Sequence, residues 1–325
     1  MNAPLVSFFL QAFNTGRWAE ECLLSILGQG GDYDFEVIVI DDASTDNTAE
    51  LIGAISDQRI HFTRHRQNRG AIPTANEGYA AMRGKYGIRI DSDDRLRPHL
   101  LERTVPILES TPRVGFVYGD IATMDLNGDV TCEGKMVRRN GRVPLGDEFV
   151  PLLLNNFVPA PTTVIRREAL LPLLPIPSEL SFLDWYITTG IAESWLTCFV
   201  DEVLADYRVH PTNMHGSMIR DRTGERTILR ILDALFANGA RTEEKRRWRK
   251  RIYARNFLVC ADQYFGSGMG SDARRCYARA VVRQPTLALR ADIVRRLLAT
   301  YVPRSWYDSA KRAARLGRVQ AARRI

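Results

Sequence analysis

The chain is poor in cysteine and in long apolar runs, and each shortage excludes a class of protein. Its 325 residues include five cysteines, odd in number and scattered, which supply neither a disulfide framework nor the close pairs of a zinc site. We therefore expect reduced cysteines in the core of a cytosolic protein. No segment approaches the ~18 consecutive apolar residues of a membrane-spanning helix. The best candidate, residues 149–165, is interrupted by three prolines and two asparagines. The first residues also lack the basic region and apolar core of a secretory signal peptide, so we expect none here.

The net charge of +7 is divided unevenly along the chain. Residues 1–219 carry 19 Lys/Arg against 29 Asp/Glu, whereas residues 220–325 carry 26 against 9. Such an asymmetry indicates an acidic half that uses a cation and a basic half that meets an anionic partner. We therefore place a domain boundary near residue 220.

Strand-like and helix-like segments alternate through the first part of the chain. Apolar runs at residues 6–10, 35–40 and 86–90 predict buried strands, and residues with helical spacing lie between them. This alternation predicts a parallel sheet with helices on both faces. A strand followed by a helix is predicted across residues 159–166. Beyond residue 223 the strand patterns nearly vanish and helices are predicted.

Acidic clusters follow two of these predicted strands. Asp41 and Asp42 end one strand, and Asp91-Ser92-Asp93-Asp94 ends another. Three carboxylates within four residues repel one another, so a fold tolerates them where a cation or hydrogen-bond donors compensate them. Ligands of such sheets bind at the carboxyl ends of the strands. The pattern predicts a site for a divalent cation, with a solvated acidic turn as the alternative.

Several motifs, in this order, resemble those of family 2 glycosyltransferases with a GT-A fold. They are Phe35–Asp46, Asn68–Gly70, Ala75–Gly78, Asp91–Asp94 and Tyr207–His210. The resemblance covers roughly residues 4–215. It implies an α/β, GT-A-like (Rossmann-like) domain with a mixed, mainly parallel sheet flanked by helices, followed by an all-α basic region.

The implied domains are a glycosyltransferase domain over residues 1–220 and a basic helical domain over residues 221–325. Within the first, residues 1–112 would bind the nucleotide sugar and residues 113–220 would bind the acceptor. The basic domain lies outside the resemblance.

The resemblance also implies roles for single residues. The nucleotide-sugar donor would be bound by Gln11, Phe13, Asn14, Asp41, Asp42, Arg69, Asn76, Asp91 and Ser92. A Mn²⁺ or Mg²⁺ ion would be held by Asp93, Asp94 and His210. Asp184 would be the catalytic base that takes the proton of the acceptor hydroxyl.

Two positions depart from the family pattern. Leu183 stands where the family usually has a glutamate before the base, and Gln11-Ala12-Phe13-Asn14 replaces the usual Pro-Thr-Tyr-Asn at the first strand end. The second change bears on nucleotide identity more than on the fold. We expect the aromatic neighbours of Asp184 to desolvate it or to stack on a sugar ring; they are Phe182, Trp185 and Tyr186.

The implied function is an inverting, metal-dependent transfer of a sugar from a UDP- or dTDP-linked donor to a glycan or lipid-linked glycan. The product would belong to a cell-surface polysaccharide or glycoconjugate made at the cytoplasmic membrane face. Two alternatives stay open. One is a degenerate transferase fold that serves as a scaffold or glycan-binding subunit. The other is a sugar nucleotidyltransferase, whose phosphate loop would be only thinly represented at residues 13–17.

The basic region ends in an amphipathic pattern. Apolar residues recur every fourth position, with arginines between them, at Leu289, Ile293, Leu297 and Tyr301. Together with basic residues from Lys311 to Arg324, this pattern fits an anionic membrane surface or a lipid diphosphate acceptor. Packing on the core and dimerisation are alternatives. Nucleic acid is disfavoured, because no zinc-finger or aromatic RNA-binding pattern is present.

Overall fold

The computed structural model describes residues 3–134, 144–211, 213–237 and 240–302. It divides into two compact units, one of residues up to 216 with 233–240, and one of residues 217–232 with those from 241 onward. The predicted basic stretch from Lys311 to Arg324 lies outside the described residues. The domain boundary near residue 220 stays a prediction.

The first unit contains a mixed sheet. Its described strands are β1 (Val6–Ala12), β2 (Phe35–Asp41), β3 (Ile60–Arg64), β4 (Tyr86–Asp91), β5 (Arg95–Leu96), β6 (Val114–Met124), β7 (Val130–Cys132), β8 (Leu145–Gly146), β9 (Val164–Arg166) and β10 (Leu196–Arg208). Their order is β3-β2-β1-β4-β9-β6-β10-β5, with β7 beside β6 and β8 beside β10. The pairs among β3, β2, β1 and β4 are parallel, as is β6 with β10. The short β9 is antiparallel to both β4 and β6 and joins the two parallel groups.

Helices cover both faces of this sheet. The described helices of the unit include α1 (Gly16–Leu27), α2 (Thr48–Gly53), α3 (Ala71–Ala81), α4 (Leu100–Ser110), α5 (Phe149–Leu154), α6 (Arg167–Leu170) and α7 (Asp184–Ala192). Ile88 and Ile90 of β4 belong to the core that also contains residues of α1 and α4. On the other face α3 packs closely on β1. The approach is close enough that a Cβ added at Gly78 would lie 2.3 Å from the Phe9 ring.

Several element predictions need correction. The 13-residue strand β10 was not anticipated, because Asp201 and Glu202 interrupt its apolar pattern and its register against β6 shifts at that point. Helix α4 was also missed. Residues 160–162 form a 3₁₀ turn rather than a strand, and the strand that follows, β9, is only three residues long.

The second unit is helical where the structure describes it. Its described helices are α8 (Met214–Arg220), α9 (Thr223–Ala237), α10 (Thr242–Gly266), α11 (Gly270–Arg283) and α12 (Ala291–Ala299). The first residues of α8 and the last residues of α9 belong to the first unit. Buried Glu225 accepts hydrogen bonds from Arg275 and from the Tyr264 hydroxyl. The amphipathic pattern predicted from Leu289 to Tyr301 becomes helical only at Ala291, since a 3₁₀ turn occupies Pro285–Leu289. None of the helices described in either unit is long and apolar enough to cross a membrane.

Candidate functional site

Three neighbouring parallel strands bring predicted donor-binding residues to one edge of the sheet. Gln11 of β1 is opposite Asp91 of β4, and its neighbour Ala12 is opposite Asp41 of β2. All of these residues are at the carboxyl ends of their strands, where parallel sheets bind ligands. The register therefore places Gln11, Asp41 and Asp91 side by side.

The carboxylates of Asp41 and Asp42 are buried and held by nearby loops. Asp41 accepts the Ser44 hydroxyl and pairs with Arg64, with 3.2 Å between Nε and Oδ2. The Asp42 carboxylate contacts His65 Nδ1 at 2.7 Å and accepts the backbone N–H groups of Arg69 and Gly70, both at 2.8 Å. Burial opposes its ionisation, yet these hydrogen bonds hold the pKa of Asp42 below its ordinary value.

The Asp42 contacts shape the loop that contains Arg69. Gly70 has φ of 89°, a conformation that glycine adopts without strain, and it precedes α3. The Arg69 guanidinium pairs with Glu77 and is about half exposed. Arg69 is thus held near the strand edge by its backbone, while its charge is matched by Glu77.

Two residues with left-handed backbone face each other across the ends of β1 and β2. Asn14 has φ of 52° and Ala43 has φ of 61°. The backbone N–H of Asn14 donates to the Ser44 hydroxyl at 2.9 Å, and Asn14 Oδ1 accepts the Thr45 N–H at 2.8 Å. Non-glycine residues rarely adopt this conformation, and such strain clusters at functional sites.

The remaining predicted donor contacts differ in their availability. Phe13, which follows β1 directly, is 46% exposed and offers an aromatic face. Gln11 Nε2 donates to the Ala71 carbonyl at 3.1 Å. Both amide atoms of Asn76 bond the backbone of Ile176, at 2.9 and 2.7 Å, so Asn76 in this state holds a segment of the chain.

The acidic turn after β4 is crowded with negative charge. Desolvation, opposed by Arg89 and reinforced by repulsion from Asp93 and Asp184, raises the pKa of Asp91 to about 6. Burial and repulsion from Asp93 and Asp91 raise the pKa of Asp94 well above its ordinary value. Asp94 is buried, and its Oδ1 accepts the Arg208 N–H at 3.0 Å. These shifts indicate that the turn lacks enough positive charge of its own.

Asp93 and His210 lie in direct contact. His210 Nε2 is 2.8 Å from Asp93 Oδ2, although 117 residues separate the two in the chain. The Trp18 ring packs on the imidazole, with 4.6 Å between ring centroids. The structure therefore brings together two of the three predicted metal ligands. Among the described residues, no three His, Cys, Asp or Glu side chains are already grouped to hold a metal ion.

Ser92 is the least exposed predicted donor contact of this turn. Its hydroxyl lies 2.6 Å from the Thr15 hydroxyl, and its side chain is buried. Ser92 thus links the acidic turn to the start of α1.

Asp184 is the first residue of α7 and lies near the acidic turn. Its Oδ1 accepts Nη1 of Arg89 at 3.1 Å, and Nη2 of the same guanidinium pairs with Asp91. For its neighbour Trp185, the stacking alternative is excluded. Trp185 is buried and donates its indole N–H to the Leu152 carbonyl at 2.7 Å, so it cannot stack on a sugar.

Sequence reasoning missed three residues that organise the site, namely Arg89, His65 and Arg208. A charged side chain inside the apolar run of residues 86–90 was a signal for Arg89, since alternation places it on the same face as Asp91. Arg208 is part of a recognised motif, but no role was assigned to it. Nothing in the local sequence singles out His65.

A family model described as "Glycosyl transferase family 2" matches residues 7–170, about half of the chain. The succinoglycan biosynthesis protein ExoO of Rhizobium meliloti is 37% identical over 102 residues, which cover 31% of this chain and 29% of that protein. Alignments with three further curated relatives cover 35%, 65% and 67% of those proteins' lengths.

Two solved structures share the fold. Staphylococcus aureus TarS 1–349 in complex with UDP-GlcNAc aligns with 95% of this chain and 92% of its own, at 17% identity and a TM-score of 0.60. The mannosyltransferase PcManGT from Pyrobaculum calidifontis, in complex with GDP-Man and Mn²⁺, aligns with 94% of this chain and 88% of its own, at 19% identity and a TM-score of 0.59. The prediction of a mixed, mainly parallel GT-A-like sheet followed by helices is confirmed.

We predict that Arg208→Met destabilises the first unit strongly. Arg208 is 1% exposed, and its guanidinium donates to the backbone carbonyls of Asp93 and Asp125 and pairs with Glu21. Leaving these partners without a donor costs about 1–3 kcal/mol, since Glu21 is partly exposed and keeps its pair with Arg95. Denaturant unfolding of both proteins measures the loss. Arg17→Met, at an exposed arginine, is the control, and equal stability of the two variants would contradict the role of Arg208.

Proposed function

Since the chain belongs to glycosyl transferase family 2, we propose that it transfers a sugar, with inversion, from a nucleoside-diphosphate donor to a glycan or lipid-linked glycan. UDP- or dTDP-linked sugars are the proposed donors. The proposal goes beyond family membership in naming the donor, the metal dependence, the acceptor class and the residues.

The observation that carries this proposal is the grouping of polar residues at one sheet edge. Gln11, Asp41 and Asp91 lie at the ends of neighbouring strands there, and Asp93 and Asp184 are close enough to Asp91 to raise its pKa. Such an edge can receive a nucleotide along the strand ends and a sugar beside the carboxylates. Exposed Phe13 and the loop of Arg69 would contact the nucleoside on two sides. Asp41 would hold the loop of Ser44, and Asp42 the loop of Arg69, through their hydrogen bonds.

A divalent cation suits the residues of the acidic turn. Carboxylate oxygens are preferred ligands of Mg²⁺ and Mn²⁺, imidazole also binds Mn²⁺, and the raised pKa values of Asp91 and Asp94 mark a shortage of positive charge. Mg²⁺ is usually held by one or two carboxylates together with substrate phosphates. Asp93 and His210 would therefore hold the ion jointly with the donor diphosphate, and Asp94 is assigned to the same shell. When bound, the ion would stabilise the departing diphosphate as a Lewis acid.

Asp184 is the proposed base. An inverting transfer is one displacement in which the acceptor hydroxyl attacks the anomeric carbon as the nucleoside diphosphate departs. A carboxylate must take the hydroxyl proton as the new bond forms. The side chain of Asp184 is 32% exposed and directed toward the acidic turn by its bond with Arg89, which supports this assignment. Asp91 would contact the ribose or the transferred sugar.

The acceptor class is proposed from the relatives. The name of the Rhizobium relative refers to succinoglycan biosynthesis, which supports a role in cell-surface polysaccharide or glycoconjugate assembly. The scaffold alternative predicts a folded protein that binds a glycan without turning over a donor. The nucleotidyltransferase alternative would need a glycine-rich phosphate loop after β1, where residues 13–17 offer one glycine and one arginine, and Arg17 Nη2 donates to Asn127 Oδ1.

We also propose that the basic helical region meets anionic lipid at the inner face of the cytoplasmic membrane. The first half of α10 exposes Arg246, Arg247 and Lys250. The two ends of the predicted apolar stripe are exposed as well, Leu289 by 86% and Tyr301 by 70%. Exposed basic and apolar side chains on one helical region suit a lipid surface. Ile293, in contrast, is buried in the core of the unit.

We expect metal-dependent binding of UDP or dTDP. Calorimetric titration of UDP, dTDP, GDP and CMP, each with Mn²⁺ and with EDTA, measures it. Asp93→Asn should weaken binding roughly 10- to 100-fold or more, because changes at a metal site's partners alone cost that much. Asp32→Asn, at an exposed loop, is the control. No binding of any nucleotide to the folded protein would favour the scaffold.

We expect Asp184→Asn to lower turnover while leaving nucleotide binding intact. General-base catalysis contributes typically 10²- to 10⁴-fold, so a loss of about that size is expected. Release of nucleoside diphosphate from a panel of UDP-, dTDP- and GDP-sugars measures turnover, and calorimetry measures binding. Wild-type turnover in Asp184→Asn would remove this residue as the base.

We expect the full chain to sediment with vesicles that contain phosphatidylglycerol and not with vesicles of phosphatidylcholine alone. Replacing Arg246, Arg247 and Lys250 by glutamine should weaken vesicle binding more than roughly 100-fold, at about 1 kcal/mol per basic residue near the surface. Glutamine at Arg66 and Arg113, both exposed in the first unit, is the control. Equal binding to both kinds of vesicle would contradict an electrostatic membrane contact.

A further inference from the structure

Arg89 is the one charged residue in the run of residues 86–90, and its guanidinium lies between two carboxylates. Nη2 pairs with Oδ1 of Asp91, and Nη1 donates to Oδ1 of Asp184 at 3.1 Å. Residues two apart in a strand point to the same face, which is why Arg89 meets Asp91. Asp184 belongs to a different element and is 95 residues away in the chain. Arg89 therefore joins strand β4 to the start of helix α7.

Arg89 donates hydrogen bonds to one oxygen of each carboxylate and does not contact the other oxygen. Within the described parts of the chain, no hydrogen bond reaches Oδ2 of Asp91 or Oδ2 of Asp184. The side chains of Asp91 and Asp184 are 47% and 32% exposed, whereas that of Arg89 is 10% exposed. A buried cation thus holds two partly exposed carboxylates and leaves one oxygen of each available to a ligand.

The chemistry of the guanidinium suits this arrangement. Burial opposes its charge, yet attraction from Asp91 and Asp184 raises the pKa of Arg89 above its ordinary value, so it stays charged. Its donors form a rigid planar fork, and the two terminal nitrogens each meet a different carboxylate. A lysine ammonium in this position is a point charge on a flexible stem and cannot impose the same spacing.

We propose that Arg89 is a positioning residue that sets the separation and orientation of Asp91 and Asp184. Asp91 then meets the donor, and Asp184 meets the acceptor hydroxyl, from fixed positions. This role rests on the proposed function, because it assigns Asp184 as the base. A displacement of a reacting group by about 1 Å can cost ~10²-fold in rate. A role in stability alone would instead lower the folded fraction and leave turnover per folded molecule unchanged.

The kinetic test compares Arg89→Met and Arg89→Lys with wild type. For the donor of the sugar-nucleotide panel that wild type turns over, we expect kcat to fall ~10²-fold in Arg89→Met, a larger change than in the Kd of the nucleoside diphosphate with Mn²⁺. Arg89→Lys should fold like wild type and regain only a small part of kcat. Arg83→Met is the matched control, because Arg83 pairs with Glu36 away from the site. Full kcat per folded molecule in both Arg89 variants would overturn the proposal.

Double-variant cycles test the two contacts separately. In the Asp184→Asn background, Arg89→Met should cause little further loss of kcat, because the group that it positions is already gone. In thermal unfolding, Arg89→Met should be non-additive with Asp91→Asn and with Asp184→Asn. If the changes in stability of either pair of variants add, Arg89 does not bridge the two carboxylates. That result would overturn the positioning role and leave the proposed function untouched.

The same cycles separate this role from the proposed function. A wild type that binds no nucleoside diphosphate and releases none from any donor would overturn the proposed function and the positioning role with it. Non-additive unfolding would then identify Arg89 as a structural bridge. If wild type is active and the unfolding effects of the paired variants add, the proposed function is retained and the positioning role of Arg89 is rejected.

Discussion

Compensation of crowded carboxylates is the constraint on which the site depends. Asp91, Asp93 and Asp94 follow β4 within four residues, and each is matched from elsewhere: Asp91 by Arg89, Asp93 by His210, and Asp94 by the backbone of Arg208. Of these partners, Arg208 ends β10 and His210 follows two residues later. Strand β10 runs parallel to β6 and so delivers its carboxyl end to the same edge of the sheet as the acidic turn. The long parallel strand and the acidic turn are therefore mutually dependent, and the negative charge that these partners leave uncompensated is what a divalent cation would balance.

The part of the site around Asp41 and Asp42 is organised in a different way. Asp41 and Asp42 are not open carboxylates waiting for a ligand, because the Ser44 hydroxyl, His65 and two backbone N–H groups already satisfy them. Their hydrogen bonds fix the loop of Arg69 and the left-handed turn at Ala43. Loops held in this way lose little entropy when a ligand arrives, which favours binding. If either aspartate contacts a ligand, it does so beside its present hydrogen bonds or by giving up one of them.

The two compact units differ in what stabilises their cores. The first relies on apolar strands and on arginine–carboxylate contacts at its strand ends. The second places the Glu225 carboxylate inside a helical core, where Arg275 and Tyr264 satisfy it and where Arg275 holds the pKa of Glu225 below its ordinary value against the effect of burial. Among the described residues of this unit, Arg222, Arg279 and Arg296 are also paired with carboxylates. The first half of α10 exposes Arg246, Arg247 and Lys250, and the membrane proposal rests on that helix.

The sequence by itself determined the alternation of β1, β2 and β4 with helices, the acidic turn and the family, because hydrophobic periodicity and short motifs are local signals. It did not reveal β10, whose apolar pattern is interrupted by charged residues at a shift in register. Nor did it show that Asn76 is bound to Ile176 or that Trp185 is buried, since each depends on a segment remote in the chain. Only the tertiary structure decided that Arg89 joins Asp91 to Asp184, because a contact across 95 residues is set by how a helix packs on a sheet and not by the spacing of residues along the chain.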